Sequence, residues 1–142
     1  MKRLLLIAIL TLWAAPAAWA GVAVIANDDV PVDSLTKAEL LDMYTGDIQR
    51  WSNGTPVILT DLKQRGEVRD TFYAYLGKPP SRMKSLWLKR LLSGDGNPPE
   101  SLESEADMLT MVRSTPGAIG FVSETRVDDS VKVLAVISEA SR

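Results

Sequence analysis

The residues best equipped for chemistry gather in one short stretch, Lys63-Gln64-Arg65-Gly66-Glu67-Val68-Arg69. Three cations flank a glycine where a helix is predicted to begin. A helix N-terminus presents N–H groups without intrahelical partners and a partial positive charge, so it attracts anions. Arg65 and Arg69 carry the forked donors that grip a phosphate or carboxylate. Gly66 allows a ligand to approach the backbone closely. Glu67 supports a second reading. In the first turn it answers the helix dipole itself and repels a dianion, which leaves Lys63 and Arg65 as solvated surface charges. The candidate ligand-binding residues are therefore Arg65, Gly66, Glu67 and Arg69, joined by Trp51. That tryptophan lies in the turn Arg50-Trp51-Ser52-Asn53-Gly54. It either offers an aromatic face to a ligand or pins the turn onto the core.

Other chemistries are excluded by what the chain lacks. Its 142 residues include no cysteine and no histidine. There is thus no disulfide, thiolate nucleophile, zinc knuckle, catalytic triad or imidazole base. Asp28-Asp29 and Asp128-Asp129 are acidic pairs without the spaced oxygen ligands of a calcium loop, and Asp beside a turn usually bonds the local backbone. Thr115-Pro116-Gly117 reads as a helix stop followed by a tight turn. No metal, no cofactor and no catalytic residue is expected, and the chain is read as a non-enzyme. Lys and Arg number 16 against 18 Asp and Glu. This balance argues against nucleic acid as a partner.

The elements that must position these residues begin after a leader. Lys2 and Arg3 precede an apolar run from Leu4 to Ala15, Pro16 interrupts it, and Ala18-Trp19-Ala20 has the form of a signal-peptidase site. The run is shorter than the roughly 20 residues a spanning helix needs. Residues 1–20 are therefore expected to be a signal peptide cleaved after Ala20, and residues 21–142 a single exported domain that does not span a membrane. Val22 to Ala26 reads as a strand buried on both faces. Thr36 and Glu39 form a capping box with Leu35 and Leu40 at the staple positions, and the helix runs through Tyr44 to stop at Gly46. Val57 to Thr60 is a second strand. Gly66 opens a helix in which Val68, Phe72, Tyr75 and Leu76 share a face, closed by Gly77. Ser81 is the expected cap of a third helix carrying Met83, Leu86, Trp87 and Leu91. Ser93 to Pro99 is a loop, and Ser104 with Asp107 starts a fourth helix. Ala118 to Val122 and Val131 to Ile137 read as two final buried strands. Strands separated by helices imply one α/β lobe of three layers, with a mostly parallel sheet covered by helices on both faces.

The ordered motifs resemble a known family. Leu35-Thr36-Lys37-Ala38-Glu39-Leu40, then Tyr44-Thr45-Gly46, then Trp51-Ser52-Asn53-Gly54 resemble a stretch of the periplasmic phosphate-binding proteins of ABC transporters. There a helix reading L-T-x-x-E/Q-L leads to F-x-G and W-x-D/N-G. Val68-Arg69-Asp70-Thr71-Phe72 is similar to their V/T-R-x-x-F helix. Thr115 to Val122 is close to their T-P-G-A-I-G-Y-V. The resemblance implies the type II periplasmic-binding-protein fold and spans about Val22 to Val136. Those transporter proteins close two lobes on a ligand, whereas this chain matches one, like the small single-lobe members of the group. Their anion loop is rich in Ser, Gly and Thr, where this chain reads Lys63-Gln64-Arg65-Gly66-Glu67 without a hydroxyl.

The expected function is an exported module that binds a small oxyanion such as phosphate. The alternative is a periplasmic accessory protein that keeps the lobe without the ligand and serves an envelope transporter or sensor. Lys78, Arg82, Lys84, Lys89 and Arg90 occur with no acid among them, followed by Asp95, Glu100, Glu103, Glu105 and Asp107 with no base. Such segregation either docks a partner or another copy of the chain, giving a homo-oligomer, or forms two solvated helix faces.

Overall fold

In a computed structural model, the described residues are 21–138, so the expected leader lies outside them. The chain forms β1 (Val22–Ala26), α1 (Lys37–Tyr44), β2 (Ile58–Leu62), α2 (Glu67–Leu76) and α3 (Pro80–Leu92). It continues through β3 (Glu100–Leu102), α4 (Glu105–Ser114), β4 (Ala118–Ser123), a short 3-10 turn (Glu124–Arg126) and β5 (Lys132–Ile137). One sheet orders the strands β3-β2-β4-β1-β5. β2 pairs in parallel with β3 and β4, while β1 pairs antiparallel with β4 and β5. Four strands thus share one direction and β1 alone runs against them.

The sheet is covered on both faces, as the uninterrupted apolar run of β1 requires: all five of its residues are buried. Successive strand residues point to opposite faces, and β4 shows what each face meets. The Phe121 ring stacks on Phe72 of α2, with centroids 3.9 Å apart. Its neighbour Gly120 faces α4, where an added Cβ would overlap Thr60 Oγ1 and come within 2.8 Å of Met108 Sδ. A glycine is required there by close approach. Tyr44 completes the aromatic core, packing edge-on to Phe72 at 4.8 Å and donating its hydroxyl to the Thr60 carbonyl.

Local signals explain the helix starts. The Thr36 hydroxyl accepts from the Glu39 N–H at 3.2 Å and donates to its carboxylate at 2.9 Å. Leu35 and Leu40 are both buried in the core. Ser104 caps α4 by accepting from the Asp107 N–H. Three expectations are corrected. The third helix starts one residue before Ser81, with Pro79 at the cap and Pro80 at the first helical position, where a missing N–H costs nothing. The region beyond the Ser93 loop contains β3, a three-residue edge strand held through its backbone to β2. The last strand is only half buried, with Val133 38% and Val136 50% exposed, because β5 forms the other edge of the sheet.

Candidate functional site

β2 runs on past Thr60 and so places Asp61 opposite the first turns of α2. Arg69 Nε donates to Asp61 Oδ1 at 3.1 Å and Nη2 donates to Oδ2 at 3.0 Å. Oδ1 also accepts from the Leu62 N–H at 2.8 Å. Both side chains are largely sequestered, at 18% and 12% exposed. The guanidinium lies 5.0 Å from the centroid of the Tyr73 ring, one turn along α2. The hydrogen bond to Asp61 raises the Arg69 pKa, so its charge is permanent. Burial, and next the negative charge of Asp61, push the Tyr73 hydroxyl well above the ordinary tyrosine value. The result is a neutral phenol packed on a compensated ion pair.

This cluster floors a groove of about 620 Å³ between α2, α3 and the approach to β3. Arg65 stands at its rim, exposed, and takes part in no ion pair or hydrogen bond among the described residues. Lys84 of α3 faces the same space. The other cation of the loop is engaged: Lys63 bridges Glu103 at 2.9 Å, with both side chains mostly exposed. Gly66 sits at the cap of α2 with no side-chain cap, and its φ of 172° is extended backbone that any residue adopts. An added Cβ there would meet nothing within 4 Å. Close approach is therefore possible at Gly66 without glycine being required.

The residues singled out in the sequence are divided by the structure. Arg65 and Arg69 line one groove. Gly66 and Glu67 line a separate shallow depression with Asp70. Trp51 is 3% exposed, and its indole N–H donates to the Gly117 carbonyl at 2.9 Å. It ties its turn to the residue that leads into β4. Asp61 and Tyr73 are not singled out by the sequence, and Lys84 stands out there only as part of a basic run. The sequence places the strand end at Thr60, and an Asp directly after it gives no sign of which helix it will meet. The only signal available was the type itself, since a carboxylate at the end of a buried strand usually has a partner.

The charge runs are partly tied down. Arg90 bridges Asp47 at 2.8 Å and Asp95 at 2.6 Å. Asp128 accepts from the backbone and hydroxyl of Ser130, bonds that lower its pKa and complete a local turn. Among the described residues no group of three acidic side chains could hold a metal ion. A second cavity of about 390 Å³ lies beside α1, but its Arg50 is turned onto the Gly54 carbonyl and Glu100 is the acid on its wall.

No protein-family model matches the chain. Solved structures do. A phosphate ABC transporter substrate-binding protein from Clostridium perfringens, determined with bound phosphate, superimposes with a TM-score of 0.69 at 24% identity, over 82% of this chain and 45% of its own. An ABC-type phosphate transport receptor from Vibrio cholerae gives 0.64 at 23% identity, over 82% of this chain and 46% of its own. PstS from Borrelia burgdorferi gives 0.65 at 12% identity, over 83% and 47%. The chain spans about half the length of these proteins. It is a single α/β lobe with the fold of the part it matches in the phosphate ABC transporter substrate-binding proteins.

Proposed function

We propose that this chain is an exported, non-enzymatic module that binds a small phosphate-like oxyanion at the groove between α2 and α3. The observation that carries the reading is the Arg65 guanidinium, unpaired among the described residues, at the rim of a groove floored by the Arg69–Asp61 pair. Arg65 makes the direct contact from the rim of the groove, and Lys84 of α3 faces the same space as a second cation. Arg69 is spent on Asp61 and serves to hold α2 against the end of β2. The likeness to a structure determined with bound phosphate agrees with an anion as ligand.

A ligand held between two lobes is enclosed from both sides, and one lobe offers a single wall. Another chain supplies the second wall in this reading, either a further copy or a component of an envelope transporter or sensor. Export rests on the basic, apolar and small-residue pattern of residues 1–20. Among the described residues no helix is long and apolar enough to cross a membrane.

Glu67 and Asp70 favour the second reading, an accessory lobe without a ligand, because carboxylates beside Gly66 repel an approaching anion. Thermal unfolding of the chain against a panel of inorganic and organic anions separates the two. A stabilisation that grows as RT ln(1 + [L]/Kd) and disappears in Arg65→Ala supports the binding module. A flat response across the whole panel supports the accessory lobe.

A further inference from the structure

The groove that holds Arg65 has walls an inorganic anion does not use. Met83, Trp87, Leu88 and Leu91 of α3 share it with Pro98 and Pro99 on the approach to β3. Leu88 and Leu91 are 55% and 48% exposed. They lie on adjacent turns beside further apolar side chains, and a contiguous apolar patch of this kind marks a binding surface where a lone exposed leucine does not. Its volume of about 620 Å³ suits a small organic molecule, whose sites run to roughly 300–1,000 Å³.

The charges of the groove are of two kinds. Asp61 and Arg69 compensate each other at the floor. Arg65 and Lys84 come from different elements, face the same space and join no ion pair among the described residues. An inorganic dianion here sheds water against prolines and leucines with two exposed cations in return, and burying an ion without full pairing is costly. A ligand with one anionic head on a compact apolar body uses both halves. The head stays at the wet rim between Arg65 and Lys84, and the body covers Leu88 and Leu91.

Resting on the oxyanion reading above, we infer that the ligand is an organic anion, a phosphate or carboxylate carrying an apolar tail or ring, whose body lies along α3. Asp61 helps to set this preference by neutralising Arg69, which leaves the floor without net charge and the apolar wall of α3 as the larger contact.

Calorimetric titration of the chain with inorganic, methyl, butyl and hexyl phosphate, and in parallel with acetate, butyrate and hexanoate, tests this. Affinity is expected to rise about two- to fourfold per added methylene in at least one series, the upper figure being full burial of each group. The exposed double variant Leu88→Ser/Leu91→Ser is expected to flatten that rise while circular dichroism shows the fold retained. Hexanol, without the anionic head, is expected not to bind. Binding that is equal along both series overturns the inference and leaves the Arg65 oxyanion site standing. Hexanol binding as tightly as hexyl phosphate, or no binding by any anion, overturns both.

Discussion

Arg69 and Asp61 meet through two parallel hydrogen bonds, 3.1 and 3.0 Å long, across the junction of α2 and β2. The pair neutralises the one largely buried cation of the stretch from Lys63 to Arg69. It leaves Arg65, exposed and in no ion pair among the described residues, as the group on which the proposed anion recognition rests. Removing one partner leaves a largely buried charge alone. Arg69→Ala or Asp61→Ala is therefore expected to cost about 2–4 kcal/mol in urea unfolding, near the range for a broken buried pair. Lys63→Ala breaks an exposed bridge to Glu103 and is expected to change stability by no more than about 0.5 kcal/mol.

The two buried phenols set the response to alkali. Tyr44 and Tyr73 both have pKa values raised in the folded state, first of all by burial. Unfolding releases them to the ordinary tyrosine value of about 10. Above that pH the unfolded chain has lost protons that the folded chain keeps, so stability falls as pH rises. The contribution is fully present below pH 10. Phenolate absorbance from these two residues is expected to appear together with unfolding, and Tyr73→Phe to reduce the slope of stability against pH above 10.

Two glycines test the geometry in opposite directions. Gly120→Ala drives a Cβ into Thr60 and Met108, an overpacking expected to cost about 1–3 kcal/mol. Gly66→Ser places a hydroxyl at an extended, uncapped helix start with open space around it. It is expected to stabilise the chain by about 0.2–0.4 kcal/mol through capping. Thermal denaturation of both variants checks the signs.

Much of this fold is legible in residue order, and the illegible parts have physical causes. Thr36 with Glu39, and Leu35 with Leu40, mark the start of α1 because capping is local: its partners lie within one turn. The buried run Val22 to Ala26 marks a central strand but carries no sign of direction, and β1 proves to run against its neighbours. β3 escapes because Glu-Ser-Leu has no apolar alternation. Backbone pairing with β2 alone makes it a strand. Arg65 and Arg69 are conspicuous by type and spacing, yet their different fates depend on Asp61, which reaches Arg69 only once β2 and α2 have packed.

Trp51 illustrates the same limit. Its sequence context fits a ligand platform or a structural pin, and the hydrogen bond to Gly117 places it in the core. Trp51→Phe removes one donor from a carbonyl that also accepts from the Ile58 N–H. A loss of about 1–2 kcal/mol in stability is expected, with anion affinity unchanged in calorimetry.

The central claim is that Arg65 holds an anion at the groove between α2 and α3. Calorimetric titration of the chain and of its Arg65→Ala variant with hexyl phosphate tests it most directly. Saturable binding in the parent that weakens at least about tenfold in the variant, the worth of one charge-assisted contact, is the predicted result. Absence of binding in the parent, or equal affinity in the two proteins, would contradict it.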